Sequence, residues 1–92
     1  MKAMTDNIRL PDELGQQLQA HRKALGLSKS ALAERAGKVR EVIYRLEAGE
    51  DTTVSSLMAV MGALGLVMRM ERAGLPTASE VAARFMEDDD AA

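Results

Sequence analysis

Apolar residues recur along this chain at three- and four-residue steps in four successive blocks, each bounded by residues that start or stop a helix. The first block places Leu14, Leu18 and Leu25 on one face, leaves Gln16, Gln17, Gln19, Arg22 and Lys23 facing out, and closes at Gly26. Pro11 in its first turn, followed by Asp12 and Glu13 at the positive end of the dipole, favours a start there. The second block sets Ala31, Leu32 and Ala36 inward, with Ala33 small enough for a close crossing, and Gly37 stops it. The third repeats Val39, Val42, Ile43 and Leu46 as a face to be buried. Glu50 to Thr53 forms a turn whose threonines cap a strongly apolar fourth helix built on Val54, Leu57, Met58, Met61 and Leu64 and ending at Gly65.

The period then changes. Leu66, Met68 and Met70 alternate with Val67, Arg69 and Glu71, the two-residue rhythm of a half-buried strand. A lone strand cannot satisfy its backbone, so the simplest partner is the same strand of a second copy across a two-fold axis. Thr77 and Glu80 make a capping box that opens a short helix through Val81, Phe85 and Met86. The expected organisation is a mobile arm or short strand over 1–10, a helical domain over 11–65, a dimerisation strand over 66–73, a helix over 74–86 and a disordered acidic tail over 87–92.

Residues 27–49 thus read as two short helices around a Gly-centred turn, which is the layout of a helix-turn-helix. With Val42, Ile43 and Leu46 inward, Arg40, Glu41, Tyr44 and Arg45 point outward, where guanidinium groups can fork onto guanine edges or pair with phosphates. Charge supports double-stranded DNA as the partner only when counted locally. The whole chain carries −2, whereas Arg22 to Arg45 holds seven basic residues against Glu34 and Glu41, a local +5. The acids Glu87 to Asp90 lie far along the sequence, and screening confines exposed charge to roughly 8 Å at physiological salt.

At Leu27-Ser28-Lys29, Leu32-Ala33, Gly37, Ile43 and Leu46-Glu47-Ala48-Gly49 the chain resembles the Xre/Cro-type helix-turn-helix proteins, which include many phage repressors and antitoxins. The resemblance runs from about Leu14 to Leu66 and implies an all-α, lambda-repressor-like bundle of four core helices. It also implies that Lys29 opens the first helix of the motif beside a phosphate or base, and that Arg40, Glu41 and Arg45 hold base-reading and phosphate-contacting positions. The chain departs from the pattern at Lys29, where the family usually has Gln, and at Val39, where Ser or Thr would cap the recognition helix. Glu41 either accepts from a cytosine amine or holds Arg45 one turn away. Arg22, Lys23 and Lys38 either touch phosphate or serve as solubilising charges. In its trailing strand the chain looks like the HipB group of antitoxins, where such a strand joins the subunits of a dimer.

Composition removes other classes. Zero cysteines exclude a disulfide scaffold or thiolate metal site, and at 47% apolar residues over 92 positions the chain fits one small domain that dimerisation would help. No apolar run approaches a membrane span and the first residues lack a signal-peptide core, so a cytoplasmic protein with no membrane partner is expected. His21 is the single histidine and has no nucleophile or ligand companion, and no glycine-rich phosphate loop occurs. An enzyme, a metal site and a cofactor are therefore not expected. Glu47 is assigned to structure, bracing Arg35 or Arg22, and Met68 and Met70 suit a dimer seam. The expected function is a dimeric, sequence-specific DNA-binding regulator, a repressor on an inverted-repeat operator. The alternative is an antitoxin that neutralises a toxin protein and autoregulates its operon.

Overall fold

A computed structural model describes residues 7–73. It contains four helices, α1 (Pro11–Ala24), α2 (Lys29–Ala36), α3 (Arg40–Glu47) and α4 (Val54–Ala63), in an all-α bundle. The helix expected over 74–86, the acidic tail and residues 1–6 of the expected arm lie outside the described residues.

Helices α1, α2 and α4 begin where a local side chain accepts from backbone N–H groups. Pro11 opens α1, and the Glu13 carboxylate accepts from the backbone N–H of Arg9 (2.8 Å) and of Leu10 (3.0 Å). Ser28 caps α2 by accepting from the Ala31 N–H at 3.0 Å. Thr53 caps α4 by accepting from the Ser56 N–H at 3.1 Å, while its hydroxyl donates to Ser56 Oγ at 2.9 Å. Because Ser56 is itself buried, Thr53→Ala is expected to cost about 1 kcal/mol of unfolding free energy, read by urea denaturation.

The core is a single cluster of Leu18, Leu32, Ala33, Ile43, Leu46, Val60, Met61 and Leu64, with Leu14, Leu27, Ala36, Val42, Leu57, Ala63 and Leu66 packed around it. Helix α1 lies across α3, and α2 wedges between α3 and α4. Two backbone approaches set the α1–α3 distance. A Cβ on Gly15 would collide with the carbonyl oxygens of Glu47 and, at 2.6 Å, of Leu46. Gly49, just beyond α3, brings its Cα against the start of α1, where an added Cβ would stand 2.8 Å from Asp12 N and Cα.

Several sequence-based assignments of face are corrected. Leu25, Val39, Val54 and Met58 are exposed, although periodicity placed them inward. Leu25 caps the end of α1, Val39 precedes α3 and Val54 is the first residue of α4, so none of these three has a full turn of helix to press it inward. On α4 the buried positions are Ser56, Val60 and Met61, with buried Leu64 just past its end, which leaves Met58 on the opposite side. Gln17 and Arg22, read as outward, are 7% exposed.

Arg22 is buried because it has partners. Its Nε donates to Glu47 Oε2 at 2.6 Å, its Nη2 to Glu47 Oε1 at 3.0 Å and its Nη1 to the Leu27 carbonyl at 2.9 Å. These bonds bind α1, the end of α3 and the loop before α2 into one joint. The hydrogen bonds to Glu47 hold the Arg22 pKa above its ordinary value against the cost of burial, so the charge persists. The expected bracing role of Glu47 is thus present on Arg22, and the expected phosphate contact or solubilising role of Arg22 is replaced by this ion pair.

After α4, residues 66–73 run on with neither helix nor ladder within the single chain. Leu66 packs partly on the core, Met68 is 47% exposed, and Val67 and Met70 are 85% and 93% exposed.

Candidate nucleic-acid interface

The motif is built from α2 and α3 across a three-residue turn. Gly37 takes a left-handed conformation (φ 68°) that lets the chain leave α2, and the Lys38 N–H returns to the Ala33 carbonyl at 2.9 Å. With Ile43 and Leu46 anchored in the core, the helical period turns Arg40, Glu41, Tyr44 and Arg45 to solvent. The packing that buries one side of α3 is therefore what exposes the other. Val39 supplies no side-chain cap at the start of α3.

On this exposed face the polar residues fall into two groups. In the first, Tyr44 is the centre. Lys29 Nζ, from the first turn of α2, sits 4.0 Å from the centroid of its ring, and Arg40 Cζ sits 5.1 Å away. Arg40 Nη2 also donates to the Tyr44 hydroxyl at 2.5 Å. That hydrogen bond, reinforced by the charges of Arg40, Lys29 and Arg22, lowers the phenol pKa from its ordinary value of 10.0. In the second group Glu41 accepts from Arg45 through Nη2 at 2.9 Å and Nε at 3.2 Å. Of the two roles open to Glu41 in the sequence, the free protein adopts the one that holds Arg45. Lys38 stands apart from both groups, half-buried in the turn.

The sequence thus placed Lys29, Arg40, Glu41, Tyr44 and Arg45 on one surface, but it did not show the aromatic contact that joins α2 to α3. The available signal covered only half of it, the spacing of Arg40 and Tyr44 one helical turn apart. Beside this face an open groove of about 410 Å³ separates α3 from the start of α4, with Val39, Val42 and Arg45 on one side and Asp51 and Thr53 on the other. Among the described residues no helix is long and apolar enough to cross a membrane.

A fold that presents one polar helix beside the start of another defines a class, and the sequence family agrees with it. A family model described as a helix-turn-helix domain matches residues 13–69, and the chain belongs to that family. Among solved structures, a chain of a HipA-HipB-O2-O3 complex is similar at a TM-score of 0.70 and 23% identity, covering 75% of this chain and 99% of that one. A HipB-O4 20mer complex gives the same TM-score at 24% identity and the same coverage. A structure named MDT Protein matches equally well, at a TM-score of 0.70 and 24% identity over 75% of this chain and 99% of that one. At these identities the likeness concerns the fold. No curated protein sequence matches the chain significantly.

Proposed function

We propose that this protein is a sequence-specific, dimeric DNA-binding regulator that represses transcription from an inverted-repeat operator. The observation that carries the reading is the shared exposed face of α2 and α3, where Lys29 and Arg40 gather on Tyr44 and Arg45 pairs with Glu41 while the opposite side of α3 is locked in the core. Arg40 and Arg45 are the base-reading candidates, Lys29 reaches a phosphate or base, Glu41 steers Arg45, and Lys38 neutralises a neighbouring phosphate. Leu66, Met68 and Met70 make the seam between copies, with Met68 and Met70 offering the exposed apolar surface such a seam requires.

Selection from random duplexes tests the reading. Two recognition helices of a two-fold dimer sit about 34 Å apart, so the enriched motif should be an inverted repeat with half-sites one helical turn apart. Arg40→Ala should weaken operator binding by about 1–3 kcal/mol and relax preference at one base pair in each half-site. Lys38→Ala should instead lower the slope of log affinity against log salt by about 1 per site. Enrichment of no motif by the intact protein would remove the proposal.

The second reading, an antitoxin that regulates its own operon, is favoured by the likeness to HipB, seen with HipA in one of the similar structures. A toxin reading frame beside the gene, whose growth arrest this protein relieves on co-expression, would support it. An isolated gene would favour the plain regulator.

A further inference from the structure

We propose that Tyr44 is a positioning residue for duplex recognition: its ring and hydroxyl hold Lys29 of α2 and Arg40 of α3 together, so that two separate elements present one pre-ordered cationic pair. The inference rests on the DNA-binding reading above and concerns how that surface achieves specificity.

Three observations converge on it. Lys29 Nζ and Arg40 Cζ lie 4.0 and 5.1 Å from the same ring centroid, and Arg40 donates to the hydroxyl of that ring. Tyr44 is 42% exposed, so its ring is not spent on filling the core. It is also the single tyrosine of the chain and stands at the junction of the two motif helices. Long cationic side chains lose rotamer freedom when they dock, and any restriction already present in the free protein is not lost again on binding.

The contrast with Arg45 sharpens the role. Glu41 also restrains an arginine, but it does so with a full negative charge that offsets part of the attraction of Arg45 for phosphate. Tyr44 restrains two cations with a neutral quadrupole and a neutral hydroxyl, so both positive charges stay available. The hydrogen bond from Arg40, with the charges of Arg40 and Lys29 behind it, draws the phenol toward ionisation. A duplex approaching this face meets Lys29 and Arg40 already side by side, while Arg45 must first exchange Glu41 for a base or phosphate.

A double-mutant cycle on the selected operator separates positioning from direct contact. Tyr44→Phe keeps the ring but removes the acceptor for Arg40, and is expected to weaken operator binding about threefold to tenfold. In an Arg40→Ala background the same change should have almost no effect. Tyr44→Leu also releases Lys29, a further loss of about twofold to fivefold that should vanish in a Lys29→Ala background. For Tyr44→Leu, affinity for an unrelated duplex should fall less than operator affinity, because non-specific binding rests on charge that the substitution leaves in place. A Tyr44→Phe loss that persists undiminished in the Arg40→Ala background would overturn the proposal and make the hydroxyl a direct DNA contact. Operator and unrelated duplex weakening equally, in step with a lowered melting temperature, would also overturn it and leave Tyr44 a structural role. If the intact protein selects no motif at all, the DNA-binding reading fails before the cycle begins.

Discussion

Replacing Glu47 with alanine is expected to lower the unfolding free energy by about 3–5 kcal/mol, which would leave a domain of this size near the edge of folding. The reason lies in what remains rather than in what is removed. Arg22 cannot give up its proton, its side chain is 8% exposed, and without Glu47 its guanidinium keeps one described partner, the Leu27 carbonyl. A buried cation short of acceptors costs more than the intact pair ever contributed. Glu47→Gln keeps an acceptor oxygen and should lose clearly less. Arg22→Met combined with Glu47→Met removes both charges and fills similar volume, so it should recover most of the single-variant loss. Urea denaturation of the four proteins measures the series. A Glu47→Ala loss below about 1 kcal/mol would show that water reaches the pair and that it behaves as a surface ion pair.

The same pair shows where sequence reading succeeds and where it stops. Helix starts and stops were legible because they depend on neighbours along the chain. Pro11 with Glu13, Gly37 and Thr53 all act within four residues of the backbone groups they serve, as does Ser28, a cap the sequence reading does not name. The outward face of α3 was legible for the related reason that Ile43 and Leu46 fix its rotation. Faces failed where periodicity was carried past an element end, as at Leu25, Val39 and Val54. They failed again where residue type outweighed position. Arg22 lies four residues after Leu18 and seven after Gly15, which puts all three on one stripe of α1, yet its charge argued for solvent. The sequence offered Glu47 as a brace for Arg35 or Arg22, and the fold, which carries it across twenty-five positions to α1, decides for Arg22 and so for the inward face. The meeting of Lys29 with Tyr44 is likewise long-range, being set by the crossing of α2 and α3 rather than by either helix. The strand expected over 66–73 would form its ladder with a second copy, so the single chain offers no pairing against which to judge it.

Gly49→Ala is the second large effect, expected at about 2–5 kcal/mol, and a companion glycine allows its two causes to be separated. Gly49 and Gly37 both adopt left-handed backbone, with φ of 76° and 68°. An L-residue forced into that region loses roughly 1–2 kcal/mol whatever surrounds it. Around Gly37 nothing lies within 4 Å of the added Cβ, so Gly37→Ala should show that cost alone. At Gly49 the Cβ would press on Asp12 N and Cα at 2.8 Å, and backbone cannot rotate away as a side chain can. Relief requires α1 to lift from α3, which would also stretch the Arg22–Glu47 contact, and overpacking of this kind costs about 1–3 kcal/mol more. Subtracting the Gly37→Ala loss from the Gly49→Ala loss in parallel urea titrations therefore isolates the α1–α3 approach. Because that approach fixes the tilt of α3, the recognition helix of the proposed function, Gly49→Ala should weaken operator binding even where the protein remains folded, while Gly15→Ala, which strikes the Leu46 carbonyl in the same seam, should act in the same direction. Equal losses at Gly37 and Gly49 would mean that α1 yields freely, and the close packing inferred for this seam would be wrong.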